Sequence, residues 1–157
     1  MSAYGNLTKA RAGLVYGLNT EIETKIVFSG AAAQFGDAVF VDAGDEDIGY
    51  PGASTDTSLK FLGVAVISQR SFVGSEDEYP AYDSMNVLTE GQVWVTTVSG
   101  ISAVANAAAY VVDLKTNGEY GNYGISTTSG IYSTAIGYFR SNVDGGLALV
   151  QLSDGLK

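Results

Sequence analysis

The chain contains no cysteine and no histidine, and only 2 prolines in 157 residues. The first absence excludes a disulfide framework, a thiolate nucleophile, a Cys-ligated zinc and an iron–sulfur cluster. The second removes the commonest general base, any Ser-His-Asp triad and most transition-metal sites. Catalysis would have to rest on carboxylates, Lys, Tyr, Ser or Thr. Cations are scarce as well: 8 Lys and Arg stand against 17 Asp and Glu, a net charge of −9. That field repels phosphate backbones and anionic lipid, so neither nucleic acid nor a membrane is expected as a partner. Long hydrophobic runs are missing too. The first apolar stretch, Ala12–Leu18, is too short to span a bilayer and is broken by Gly13 and Gly17. Asn19-Thr20-Glu21 follows it in place of a small-residue cleavage site, so export by a signal peptide is not expected.

What the chain does have is Val, Thr, Tyr and 20 Gly, the residues of pleated strands and the turns between them. Its length suffices for one core. Strands are expected at Thr24–Phe28, Asp37–Val41, Leu59–Ser68, Met85–Leu88, Gln92–Val98, Tyr110–Leu114, Ile131–Arg140 and Leu147–Leu152. Leu59–Ser68 is apolar on both faces and reads as central. Glu90-Gly91 and Asp144-Gly145-Gly146 read as hairpin turns. Ile101–Ala109 is Ala-rich and is the sole helical-turn candidate. Ala43–Thr57, Gly74–Tyr82 and Asn117–Gly124 read as loops. The expected fold is all-β: a single β-sandwich or partly closed barrel with at most one short helical turn. An extended N-terminal arm over residues 1–22 precedes an all-β domain over residues 23–157. A faint echo hints at a duplicated unit. Gly36-Asp-Ala-Val-Phe-Val resembles Gly91-Gln-Val-Trp-Val, and Phe61-Leu-Gly-Val resembles Ala135-Ile-Gly-Tyr.

Asp42, Asp45, Glu46 and Asp47 supply hard oxygens for calcium, but their spacing departs from the calcium-loop pattern and no closing glutamate follows. A solvated hairpin tip is the better reading, and no metal or cofactor is expected. No phosphate-binding loop occurs. Tyr79, Tyr82, Tyr120 and Tyr123 fall in expected loops, where tyrosine suits a recognition surface or stacking against sugars. Tyr4, Leu7, Leu14 and Tyr16 make the first nineteen residues apolar without a clean period. Such a segment suits either an arm ordered against a neighbour or a first strand within its own sheet.

Several segments, taken in order, resemble the structural cement or capsid decoration proteins of tailed phages. They are Gly36-Asp-Ala-Val-Phe-Val-Asp42, Phe61-Leu-Gly-Val-Ala-Val66, Val87-Leu-Thr-Glu-Gly-Gln-Val-Trp-Val95, Ala107-Ala-Ala-Tyr-Val-Val112, Ile136-Gly-Tyr and Leu147-Ala-Leu-Val-Gln-Leu152. The resemblance covers roughly Phe28 to Leu152 and rests on hydrophobic pattern and glycine placement. It implies a non-enzymatic virion protein, made in the host cytoplasm and seated on the capsid exterior. Its partners would be the major capsid protein and further copies of itself, as a dimer or trimer. Tyr4, Leu7, Leu14, Tyr16, Tyr79, Tyr82, Tyr120 and Tyr123 are then the expected contacts. The alternative is a carbohydrate- or receptor-binding β module that stacks ligands on its loop tyrosines.

Overall fold

Runs of β-branched and aromatic residues punctuated by glycine become strands, and none of the described residues is helical. The structure is a computed structural model that describes residues 11–28, 32–51, 59–67, 78–97, 104–112, 122–124, 135–143 and 146–152. Among these the strands are β1 (Val15–Val27), β2 (Ala33–Gln34), β3 (Ala38–Asp42), β4 (Asp45–Pro51), β5 (Leu59–Ala65) and β6 (Glu78–Tyr79). They continue with β7 (Ser84–Thr96), β8 (Ala108–Val112), β9 (Asn122–Gly124), β10 (Gly137–Phe139) and β11 (Leu147–Leu152). One sheet has the order β1-β4-β3-β5-β7-β11-β10-β8-β9, and β2 pairs with β6 in a separate ribbon.

The pairings close two rings. β1 also pairs with β7, so β1, β4, β3, β5 and the first half of β7 form a ring of five. The second half of β7 continues through β11, β10, β8 and β9, and a parallel bridge from Thr97 to Tyr123 brings β9 back to the end of β7. The two rings have the same connectivity and sense. β1 pairs parallel with β4 as Thr97 does with β9. β3 pairs antiparallel with β4 and β5, as β8 does with β9 and β10. β5 pairs antiparallel with the first half of β7, as β10 does with β11. β1 pairs antiparallel with the first half of β7, as the second half of β7 does with β11. The chain is thus a tandem pair of one five-strand unit, with β7 serving as the last strand of one and the first of the next. This all-β arrangement is consistent with the single β-sandwich or partly closed barrel expected from the sequence.

The echo between Phe61-Leu-Gly-Val and Ala135-Ile-Gly-Tyr marks equivalent places, since Gly63 and Gly137 occupy matching positions of β5 and β10. A Cβ built on either would collide with a carbonyl of the neighbouring strand, that of Leu88 or that of Gln151. The other echo does not mark equivalent places. Gly36–Val41 leads into β3 and Gly91–Val95 lies in β7, and β3 corresponds to β8.

Two buried clusters fill the structure. One joins Val27, Val39, Ala65, Met85 and Val87 of the first ring to Ala33, Phe35 and Tyr79 at the β2/β6 ribbon. The larger joins Ala38, Phe40, Val64 and Leu88, on the opposite faces of β3, β5 and β7, to the second ring's Val93, Val95, Val111, Tyr123, Phe139 and Val150. Each Val, Leu, Met or Phe side chain among them withdrawn from water contributes about 1.5–3 kcal/mol against the entropy of ordering the chain.

Several expectations are corrected. Glu90-Gly91 is not a hairpin turn, because β7 runs unbroken from Ser84 to Thr96 with ladder partners on both sides. Gly91 instead takes φ 128° at the handover between rings. There β1 carries extra residues between Tyr16 and Glu21. The stretch read as a loop at Ala43–Thr57 contains β4, paired with β3 across a turn at Ala43-Gly44. Its acidic residues face solvent, which hid a strand from a reading of composition. Glu78–Tyr79 and Asn122–Gly124 are likewise strands and not loop. In the helical-turn candidate, Ala107 N–H bonds Val104 O at 3.1 Å in a turn, and β8 begins at Ala108. Asn106 takes φ 75° in that turn, which a continuing right-handed helix does not allow. Residues 101–103 of that candidate lie outside the described residues, as do Asp144 and Gly145 of the second expected hairpin turn.

Candidate interaction surface

β1 buries Val27 and packs Val15 against the core, but presents Tyr16, Ile22 and Ile26 outward. The sequence Ile22-Glu-Thr-Lys-Ile26-Val-Phe28 alternates, and a half-buried strand ordinarily turns its isoleucines inward and its lysine to water. Here the order is reversed on the even positions: Leu14, Tyr16, Ile22, Ile26 and Phe28 are between 38% and 58% exposed. The Lys25 side chain is only 13% exposed, and its Nζ lies 3.8 Å from Glu23. Its stem packs where a Cβ on Gly49 would touch it, beside Met85 and Val39. The Phe28 ring leans on Tyr50 with centroids 4.7 Å apart. Tyr82 stands at the end of this stripe, 75% exposed, in a turn with φ 68° whose N–H bonds Val27 O at 3.0 Å. Single exposed apolar residues are ordinary on a protein surface; a row of them along one strand and its flanks is less so.

The stripe runs beside acidic charge. Glu21 lies directly across from Glu90 in the β1/β7 ladder, a pairing of like charges, and Glu23 follows on β1. The Asp42–Asp47 segment is the exposed tip of the β3/β4 hairpin. Asp42 accepts the N–H of Gly44 at 3.0 Å, and Asp45 accepts that of Asp47 at 3.2 Å. Among the described residues no group of three or more acidic side chains converges as metal ligands do. No helix among them is long and apolar enough to cross a membrane.

The tyrosines expected at the surface divide. Tyr16 and Tyr82 are exposed, as is Leu14. Tyr79 is not a surface contact: it is buried against Phe35, ring centroids 5.3 Å apart, and its phenol donates to Val66 O. Tyr123 is not one either. It is fully buried, and its phenol donates to Gly36 O at 3.0 Å, tying β9 of the second unit to the entry of β3 in the first. Both sit in short strands read as loops, so their burial could not be seen from loop composition. Tyr4, Leu7 and Tyr120 lie outside the described residues. Ile22, Ile26 and Phe28 were missed because their alternation is the ordinary signature of a core face.

Close to Tyr123 lies the one strongly perturbed carboxyl among the described residues, Asp37, which the sequence places at the start of an expected strand. Burial pushes it up to about 7 against a single bond from Gln34 N–H at 2.9 Å, and the charge of Glu78 pushes the same way. Burial and the charge of Asp37 together raise the Tyr123 phenol well above its ordinary value. The second acid near Asp37 is Glu78, and the Tyr123 phenol beside it is committed to Gly36 O.

The family model described as "Structural cement protein (E217 gp24/Pam3 gp6)" matches residues 2–153, nearly the whole chain. The chain belongs to the structural cement protein family. A cement protein is a structural component of the phage virion. A solved structure titled "The capsid of Myoviridae Phage XM1" contains a chain with the same fold, with a TM-score of 0.72 at 18% identity, covering 92% of this chain and 90% of that one. No curated protein matches.

Proposed function

We propose that the protein binds the outer surface of a phage capsid, as a homo-oligomer, and stabilises the lattice of the major capsid protein. The observation that carries this reading is the reversed β1, which turns Leu14, Tyr16, Ile22, Ile26 and Phe28 to the outside while drawing Lys25 in. That arrangement makes sense when the apolar side meets another protein. Tyr82 extends the same surface, and Tyr4, Leu7 and Tyr120 are proposed to add to it. A shell under pressure from packaged DNA gains strength when added subunits bury area across capsomer boundaries. Several modest contacts made by one oligomer multiply into tight retention. The net charge of −9 keeps coated particles apart. The glycan-binding alternative loses two of its four stacking platforms, Tyr79 and Tyr123, to the core.

The test is co-sedimentation with capsids of the phage that encodes the chain, stripped of their own cement. Saturable binding is expected, and the double variant Tyr16→Ser, Tyr82→Ser should weaken it tenfold or more while keeping the melting temperature of the free protein. Binding unchanged by that variant would remove the stripe from the account.

A further inference from the structure

The tandem architecture allows one unit to be read against the other. In the second unit the first strand is β7 from Gly91 onward, paired on one edge with β11. Its other edge is covered by the chain's own segment Gly13–Tyr16: Gly13 N–H bonds Trp94 O at 2.8 Å, Trp94 N–H bonds Leu14 O at 3.0 Å, and Tyr16 lies across from Gln92. In the first unit the first strand is β1, paired on one edge with β7. Its other edge meets β4 at Ile26 and Val27, and no strand among the described residues pairs with it from Gly17 to Lys25. The equivalent of Gln92–Trp94 is Ile22–Thr24, in the middle of that open edge. An extended apolar segment covers the edge in one unit, and the other unit offers the same edge uncovered.

We propose that the open edge of β1 takes the N-terminal segment of a neighbouring copy as an added antiparallel strand. The chemistry of that segment fits. Residues 1–20 contain no acid, whereas Lys9 and Arg11 are two of the chain's 8 cations, and Tyr4 and Leu7 are apolar. The edge it would meet carries Glu21 and Glu23, with Glu90 across the ladder. Added beside Ile22, the strand widens the apolar stripe. A neighbour, rather than the same chain, is indicated by where the segment starts. A Cβ on Gly36 would touch Ala12, and Gly13 O accepts Ile67 N–H at 3.0 Å. The chain therefore enters at the β3/β5 side of the first ring, while the open edge of β1 faces β4. Exchanged arms of this kind join copies without a large rigid interface.

The absence of cysteine makes the test clean. Full-length Leu7→Cys and Thr24→Cys variants are purified separately, mixed without capsids and oxidised, with Tyr4→Cys and Lys9→Cys replacing Leu7→Cys to scan the register. A disulfide-linked two-chain product that needs both variants is expected from at least one pairing. Glu23→Lys in the Thr24→Cys chain should lower its yield several-fold, and Lys9→Glu in the partner chain should restore it. A Leu7→Cys, Thr24→Cys double variant that links only within single chains at low concentration would overturn the proposal. So would the absence of any link across the scan. Because no capsid is present, either negative result leaves the capsid-binding reading standing.

Discussion

Asp37 is the residue whose environment has the clearest thermodynamic consequence. Its folded value of about 7 lies above the ordinary value of 3.8, so the native protein holds a proton that the unfolded chain releases. Stability is therefore fully present below about pH 4, falls as pH rises, and levels off above about pH 7. Asp37→Asn keeps an acceptor for Gln34 N–H and removes the titration. Thermal melts from pH 4 to 8 should show the variant gaining on the parent as pH rises; a difference independent of pH would contradict the assignment. Tyr123→Phe deletes the bond to Gly36 O and should cost about 1 kcal/mol, up to about 3 if the carbonyl is left without a partner, measured by denaturant unfolding. Neither role was legible in the sequence. Asp37 read as the first residue of an expected strand and Tyr123 as a loop aromatic, because burial here comes from the second unit folding over the first, more than eighty residues away in the chain.

Among the elements, β5, β7, β10 and β11 carry the argument for a repeated unit. Gly63→Ala and Gly137→Ala each drive a methyl into a neighbouring carbonyl, of Leu88 and of Gln151. Both should destabilise by about 3 kcal/mol or more, and by similar amounts, since strand backbone cannot yield as a side chain can. Chemical unfolding of the two variants checks this, and one tolerated alanine would break the equivalence. Strand existence was largely readable from β-branched alternation, and the central place of Leu59–Ser68 was as well: β5 lies between β3 and β7. Acidic β4 was not readable, since a strand with a solvent-facing Asp-Glu-Asp run has the composition of a loop. Nor was the unbroken β7. Glu90-Gly91 has the local chemistry of a turn, and only β1 and β11 on its two edges hold it extended.

For the molecule as a whole, the missing histidine and cysteine, the acidic charge and the reversed first strand all favour function through surface. The family resemblance was visible in the order of glycine-bounded strands. The location of the proposed contact surface was not, because alternation tells which residues share a face and not which face meets water. Ile22 and Ile26 share the outer one. The central claim is that this surface holds the protein on a capsid, and the most direct measurement is the melting temperature of cement-stripped capsids with increasing protein. A saturable rise of several degrees is expected with the parent chain, and a much smaller rise with Tyr16→Ser, Tyr82→Ser at the same concentration. A folded parent protein that neither pellets with the capsids nor shifts their melting would contradict it.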